Sequence, residues 1–138
     1  MIIISHRGNI SGSNKKLENL PQHIQTLLAS KVNVEIDVWF VNKSFYLGHD
    51  APQYKVNKKF IIQKNLWCHA KNLDALYELL KLGVICFWHE ADSFTLTSNN
   101  FIWTYPGKDI RKNSIIVDIA SNWKSKNYKC AGVCVDYL

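Results

Sequence analysis

Long apolar runs are missing from this chain. None approaches the ~20 residues that cross a bilayer, and Met1–Ile4 leads straight into Ser5, His6 and Arg7 without a signal peptide's apolar segment. Proline and glycine are sparse, at three and six residues, and no segment is repetitive or of low complexity, so collagen-like, mucin-like and disordered polymers are excluded. The four cysteines, Cys68, Cys86, Cys130 and Cys134, include no C-x-x-C pair. Cys68 and Cys86 lie in apolar strand-like runs where small buried thiols are common, so reduced structural cysteines are expected. Together these absences predict a soluble, cytoplasmic protein with no stable membrane insertion.

What is present is an ordinary globular mixture. The 138 residues are 47% hydrophobic and 20% charged, which suits one domain over 1–138. Seventeen Lys and Arg against eleven Asp and Glu give a net charge of +6. That balance favours a phosphate-bearing ligand but falls short of a dedicated nucleic-acid binder's basic stripe. The five tryptophans could stack bases, yet they fall largely in strand runs that need a core, so no nucleic-acid partner is expected.

Periodicity organises the chain into alternating elements. Met1–Ser5 reads as a buried first strand, and Leu20, Ile24, Leu27 and Leu28 form a helical stripe, with Asn19 as its cap and Pro21 in its first turn. From Val32 to Val41 the period is two. Val34, Ile36 and Val38 take one face and Glu35, Asp37 and Trp39 the other. Asn42 and Lys43 turn the chain into Ser44–Leu47, and Gly48, His49 and Asp50 close that excursion. Leu66–Ala70 is a strand with Trp67, His69 and Lys71 on one side, followed by a helix from Leu73 to Leu82 between Asn72 and Gly83. Val84–Trp88, a hairpin over Phe94–Thr97 and Phe101–Tyr105, and strands at Ser114–Ile119 and Gly132–Tyr137 complete the reading.

Alternation of this kind predicts an α/β fold with mostly parallel pairing, whose ligands gather at the carboxyl ends of the strands. Those ends carry His6 and Arg7, Glu35 and Asp37, His49 and Asp50, and His69 and Lys71. Two carboxylates two apart on one strand can share a hard divalent cation. Arg7 offers a planar fork to phosphate oxygens, Lys71 adds a point charge, and two histidines can divide general acid and base duties. The stretches Phe87–Asp92 and Trp103–Pro106 are candidates to line the pocket.

His6-Arg7-Gly8, Leu17-Glu18-Asn19, Glu35-Ile36-Asp37-Val38 and Gly48-His49-Asp50, in that order and spacing, resemble the signature of the glycerophosphodiester phosphodiesterases, and Val133–Tyr137 looks like that family's closing strand. The resemblance is specific over residues 6–50 and thin beyond them. It implies a TIM-type (β/α) barrel of the phospholipase C-like phosphodiesterase superfamily, here reduced, because 138 residues are little more than half of the ~250 such barrels need. Several outer helices must then be shortened or missing, and bared strand faces make a homo-oligomer an expectation. The resemblance further implies hydrolysis of a small phosphodiester with Mg²⁺ or Ca²⁺. His6 and His49 would be the acid and base pair, Arg7 would hold phosphate, Glu35 and Asp37 would bind metal, and Glu18 would stand near it, as a further ligand or behind one. Family members usually carry a Glu two residues before the Lys of the third strand. Here that position is His69, and an imidazole ligand would make the site more welcoming to Mn²⁺ or Zn²⁺. The competing expectation is a phosphate-binding module of the same fold without catalysis.

Overall fold

Period-two strands with one wholly apolar face need cover on that face, and the apolar stripes of the two longer helices supply it. The computed structural model describes residues 1–138. Its strands are β1 (Ile2–His6), β2 (Asn33–Val41), β3 (Ser44–Leu47), β4 (Tyr54–Val56), β5 (Leu66–Ala70), β6 (Cys86–Trp88), β7 (Phe94–Leu96), β8 (Ile102–Thr104), β9 (Ser114–Val117) and β10 (Gly132–Val135). Its helices are α1 (Pro21–Ala29), α2 (Lys58–Ile61) and α3 (Leu73–Leu82). Val34, Ile36 and Val38 of β2 and Leu66, Cys68 and Ala70 of β5 pack with Ile24 and Leu27 of α1 and Ala75 and Leu79 of α3 in the larger core. The Asn72 side chain accepts the Ala75 N–H at 3.0 Å, and Gly83 ends α3 at φ 66°, so both caps of this helix act as read from the sequence.

The architecture corrects the expected barrel. The structure is one mixed sheet of ten strands, curled into a half-barrel and carrying only three short helices, not a TIM-type barrel of repeating β/α units. Strands β6, β5, β2, β1, β10, β9 and β8 run parallel in that order, while β3, β4 and β7 join antiparallel. The reason lies in the connections. Tyr105–Asn113, with Pro106 and Gly107, is too short and polar to form a helical stripe, and it takes β8 to β9 as a loop. Between β9 and β10 only a 3₁₀ turn forms at Trp123–Lys126. Trp123 does a helix's work there, packing on Val133 and Val135 and donating its indole N–H to the Tyr137 carbonyl at 2.6 Å.

The curl is held from its concave side. Ile4, Trp67, Phe87, Trp103, Ile115 and Cys134, drawn from β1, β5, β6, β8, β9 and β10, form one inner cluster. Phe87 of β6 and Trp103 of β8 come from opposite ends of the parallel run, yet their rings stack with centroids 4.3 Å apart. No helix is long and apolar enough to cross a membrane.

Because Phe87 is 1% exposed and joins the two ends of the curl, Phe87→Ala is expected to cost about 3–5 kcal/mol. Urea unfolding followed by tryptophan fluorescence measures it. A loss below about 1 kcal/mol would show that the aromatic stack does not hold the curl.

Candidate functional site

Toward their carboxyl ends β1, β5, β6 and β10 follow their inner-cluster residues with a polar inward side chain, His6, His69, His89 and Asp136. Ile4 pairs with Cys134, so the next inward residues of β1 and the chain just after β10 are His6 and Asp136. His6 pairs with Glu35, and Asp37 pairs with His69. A ring of titratable groups therefore lies directly above an apolar floor. Lys71 follows on the same face and sets its Nζ 3.6 Å from Asp37 Oδ1.

Arg7 reaches this ring through its backbone. It takes φ 55°, and Gly8 follows at φ 90°. A Cβ on Gly8 would meet Ile24 Cδ1 at 2.7 Å, so glycine is required by conformation and by space. The turn aims the Arg7 N–H at Glu35 Oε2, at 3.1 Å. It sets Nε 3.3 Å from Asp37 Oδ2 and Nη1 3.5 Å from Glu18 Oε2. Glu18 stands outside the carboxylate pair of β2: it accepts from Ser13 Oγ at 2.6 Å and Asn9 Nδ2 at 3.1 Å, so it steadies Arg7.

Asn19 does not cap α1. It adopts φ 58°, and its amide clasps Asp37, donating Nδ2–H to Oδ2 and accepting the Asp37 N–H, both at 2.9 Å. Leu20 holds the cap position with no side-chain hydrogen bond. Demand from the buried carboxylate outweighs the usual ~1 kcal/mol of a helix cap.

His49 arrives by the hairpin. Asn42 and Lys43 both have positive φ, as a two-residue turn of the primed kind needs. The returning strand ends where the Gly48 N–H donates to the Asp37 carbonyl at 3.2 Å, and Trp39 Nε1 donates to the Gly48 carbonyl at 2.7 Å. His49 and His6 then open on one cleft of about 320 Å³ that also holds Arg7, Glu35 and His69. Each of the two imidazoles gives its Nδ1 proton to a carboxylate, His6 to Asp136 at 2.8 Å and His49 to Asp50 at 2.7 Å, which leaves both Nε2 atoms free. Sequence reasoning passed over Asp136 as a site residue. Its signal is the inward register two positions after Cys134, visible only once β10 is known to lie beside β1.

Glu35, Asp37 and His69 place one donor atom each within 4.8 Å of one another, a spread that oxygen and nitrogen ligands of one divalent cation can span. His69 Nε2 lies 2.9 Å from the His89 carbonyl. A carbonyl only accepts, so Nε2 carries the proton and the Nδ1 lone pair of a neutral ring faces Asp37 Oδ1 at 3.2 Å and Glu35 Oε1 at 3.7 Å. Lone pair against carboxylate is repulsive unless a second proton or a cation lies between. A backbone carbonyl fixing the far nitrogen is also the usual support of a ligating histidine. Asp37 Oδ1 is buried and accepts no hydrogen bond. The residues fit a cation.

The charges respond to this crowding. Burial, together with the Asp37 charge, pushes the Glu35 carboxyl up. Asp37 is opposed by burial too, but His69 with a proton on Nδ1, Arg7 and Lys71 outweigh it and hold the carboxyl well below the carboxylate range. For His6, burial disfavours the imidazolium, yet the Asp136 hydrogen bond and the Glu35 charge prevail and raise its pKa. No protein-family model, curated protein or solved structure matches this chain.

A raised histidine pKa stabilises the fold fully below the unfolded value and loses that contribution as pH climbs through the folded value. Asp136→Asn removes the raising partner and leaves burial and Arg7 to lower the pKa against Glu35 alone. The His6 resonance should then titrate at lower pH by NMR, and the stability lost between pH 6 and 8 should be smaller than in the unaltered protein. An unchanged titration would deny Asp136 this role.

Proposed function

We propose that the chain is a metal-dependent phosphodiesterase acting on a small phosphodiester. The observation that carries the reading is that two histidines, each with Nδ1 engaged by a carboxylate, open on the cleft that holds Arg7, Glu35 and His69. Glu35, Asp37 and His69 would hold Mg²⁺, Ca²⁺ or Mn²⁺, and a cation so held would supply positive charge to offset the negative charge of the phosphate. An imidazole beside two carboxylates favours Mn²⁺ more than an all-oxygen set does.

The chain's own groups do the rest. Arg7 neutralises and orients the phosphate through its guanidinium, which Glu18 and Asp37 hold in place. Lys71 adds a second positive charge beside Asp37. His49 is the more open imidazole, with 40% of its side chain exposed, and its Nε2 takes the proton of the attacking water or substrate hydroxyl as the new O–P bond forms. His6 holds its proton more firmly than an ordinary histidine, for the reasons given above, and its Nε2–H passes that proton to the departing alcohol oxygen as the old P–O bond breaks. Asp136 and Asp50 keep both rings in the tautomer this exchange needs. The low-dielectric floor beneath strengthens every one of these charges.

With Mn²⁺ or Mg²⁺, the protein is expected to hydrolyse bis(4-nitrophenyl) phosphate, and His6→Ala and His49→Ala are each expected to lower kcat by about 10²- to 10⁴-fold. His69→Ala should weaken Mn²⁺ binding by calorimetry at least tenfold, in the range seen when a metal's supporting residues are removed, about 10- to 100-fold. Full activity in either His→Ala variant would refute the assignment. Phosphate binding with no turnover in any metal would leave a binding module in its place.

A further inference from the structure

Two clefts meet at the reaction centre described above, and among their walls they share only Arg7 and His49. Their linings are unlike. The smaller, of about 280 Å³, is walled by Lys15, Glu18, Asp50 and Gln53 beside the shared pair and holds no Phe, Tyr or Trp. Counting the shared Arg7, its two cations face two anions, which suits a neutral, hydroxyl-bearing group. The larger cleft runs from His6, Glu35 and His69 to a second wall made of His89, Trp103, Tyr105, Pro106, Val117 and Ile119, with the exposed Glu90 at its edge.

That second wall has a floor and a rim. Trp103 is 5% exposed and belongs to the inner core, whereas Tyr105 and Ile119 stay 50% and 53% exposed. Tyr105 follows β8 and Ile119 follows β9, and these parallel neighbours carry both side chains to the same mouth. The Tyr105 ring stands at 54° to that of His89, with centroids 6.0 Å apart, so neither ring covers the other. Large apolar groups left open at the edge of a polar cleft are surface that a bound ligand can remove from water.

Building on the phosphodiesterase reading, we propose that the substrate is an asymmetric phosphodiester, one of whose esterified alcohols bears a flat aromatic or heteroaromatic ring that seats against Tyr105 and Ile119. With phosphorus beside Arg7 and His49, the two ester arms diverge into the two clefts, and only the larger has Tyr105 and Trp103 on its wall. The main chain that carries Tyr105 is tied at the mouth by a backbone hydrogen bond, its N–H donating to the Ser93 carbonyl at 3.0 Å.

Binding of two monoesters, phenyl phosphate and methyl phosphate, to the full chain with Mn²⁺ tests this by calorimetry, because they share the phosphate and differ only in the ring. Phenyl phosphate should bind about tenfold more tightly, as burial and stacking of one ring imply. Tyr105→Ala should reduce that preference to less than about threefold, with methyl phosphate affinity unchanged. Ile119→Ser should lower it in the same direction, and circular dichroism checks that both variants fold. Equal affinities, or a preference that survives both substitutions, would overturn the ring subsite while leaving the phosphodiesterase reading intact. Failure of both monoesters to bind, together with no turnover of bis(4-nitrophenyl) phosphate, would overturn the two together.

Discussion

Two carboxylates stand side by side in the interior of a small sheet, and most of the polar architecture is the answer to that arrangement. Glu35 is 2% exposed and Asp37 fully buried. Uncompensated, either charge would be costly there, and together they repel. Compensation arrives from three separate stretches of chain: the backbone and guanidinium of Arg7, the amide of Asn19, and the ammonium of Lys71 at the end of β5. The positive φ angles at Arg7 and Asn19 follow from this demand, since only folded-back turns aim those groups at β2. Even so, one Asp37 oxygen accepts no hydrogen bond and Glu35 resists ionisation. The protein's own cations do not complete the site.

The same strands build the floor and the chemistry. One step along β1, β5, β6 and β10 separates the aromatic and aliphatic cluster from the polar layer, so the packing that closes the curl also sets the dielectric under the site. Phe87 illustrates the coupling. It stacks on Trp103 with centroids 4.3 Å apart and on the His69 ring with centroids 5.0 Å apart, linking the sheet's shape to the orientation of a candidate ligand. His49, by contrast, sits on a loop tied to β2 through Gly48 and closed by the Gln53 N–H donating to the Leu47 carbonyl at 2.9 Å. At Gly48 a Cβ would collide with the Ala51 carbonyl at 2.1 Å, so that loop's path depends on a bare backbone. Rigidity beneath and a lighter tether above suit a site that must admit a ligand.

Much of this was legible in the residues, and what was legible is local. The inward face of β2, the outward face of β5, the turn at Asn42 and Lys43, and both caps of α3 follow from periods and propensities that act within a few positions. The barrel expectation came with the family resemblance and fails because only β1-α1-β2 and β5-α3-β6 are strand-helix-strand units; the later connections lack a helical stripe and cross as loops, a hairpin and a 3₁₀ turn. Asn19 was misread for a related reason. Its capping propensity is a local preference, and a buried carboxylate eighteen positions away made the stronger claim. Asp136 lies 130 positions from His6, and no local rule connects them.

The sequence by itself determined which residues share a strand face and which types of group gather at strand ends, because side-chain alternation and turn chemistry are properties of neighbouring residues. Tertiary structure decided the curled mixed sheet, the pairing of His6 with Asp136, the clasp of Asn19 on Asp37 and the meeting of two unlike clefts at Arg7 and His49. Those depend on which strands lie side by side and on what a buried charge requires of groups far away in the chain, and both are settled only when the whole chain packs.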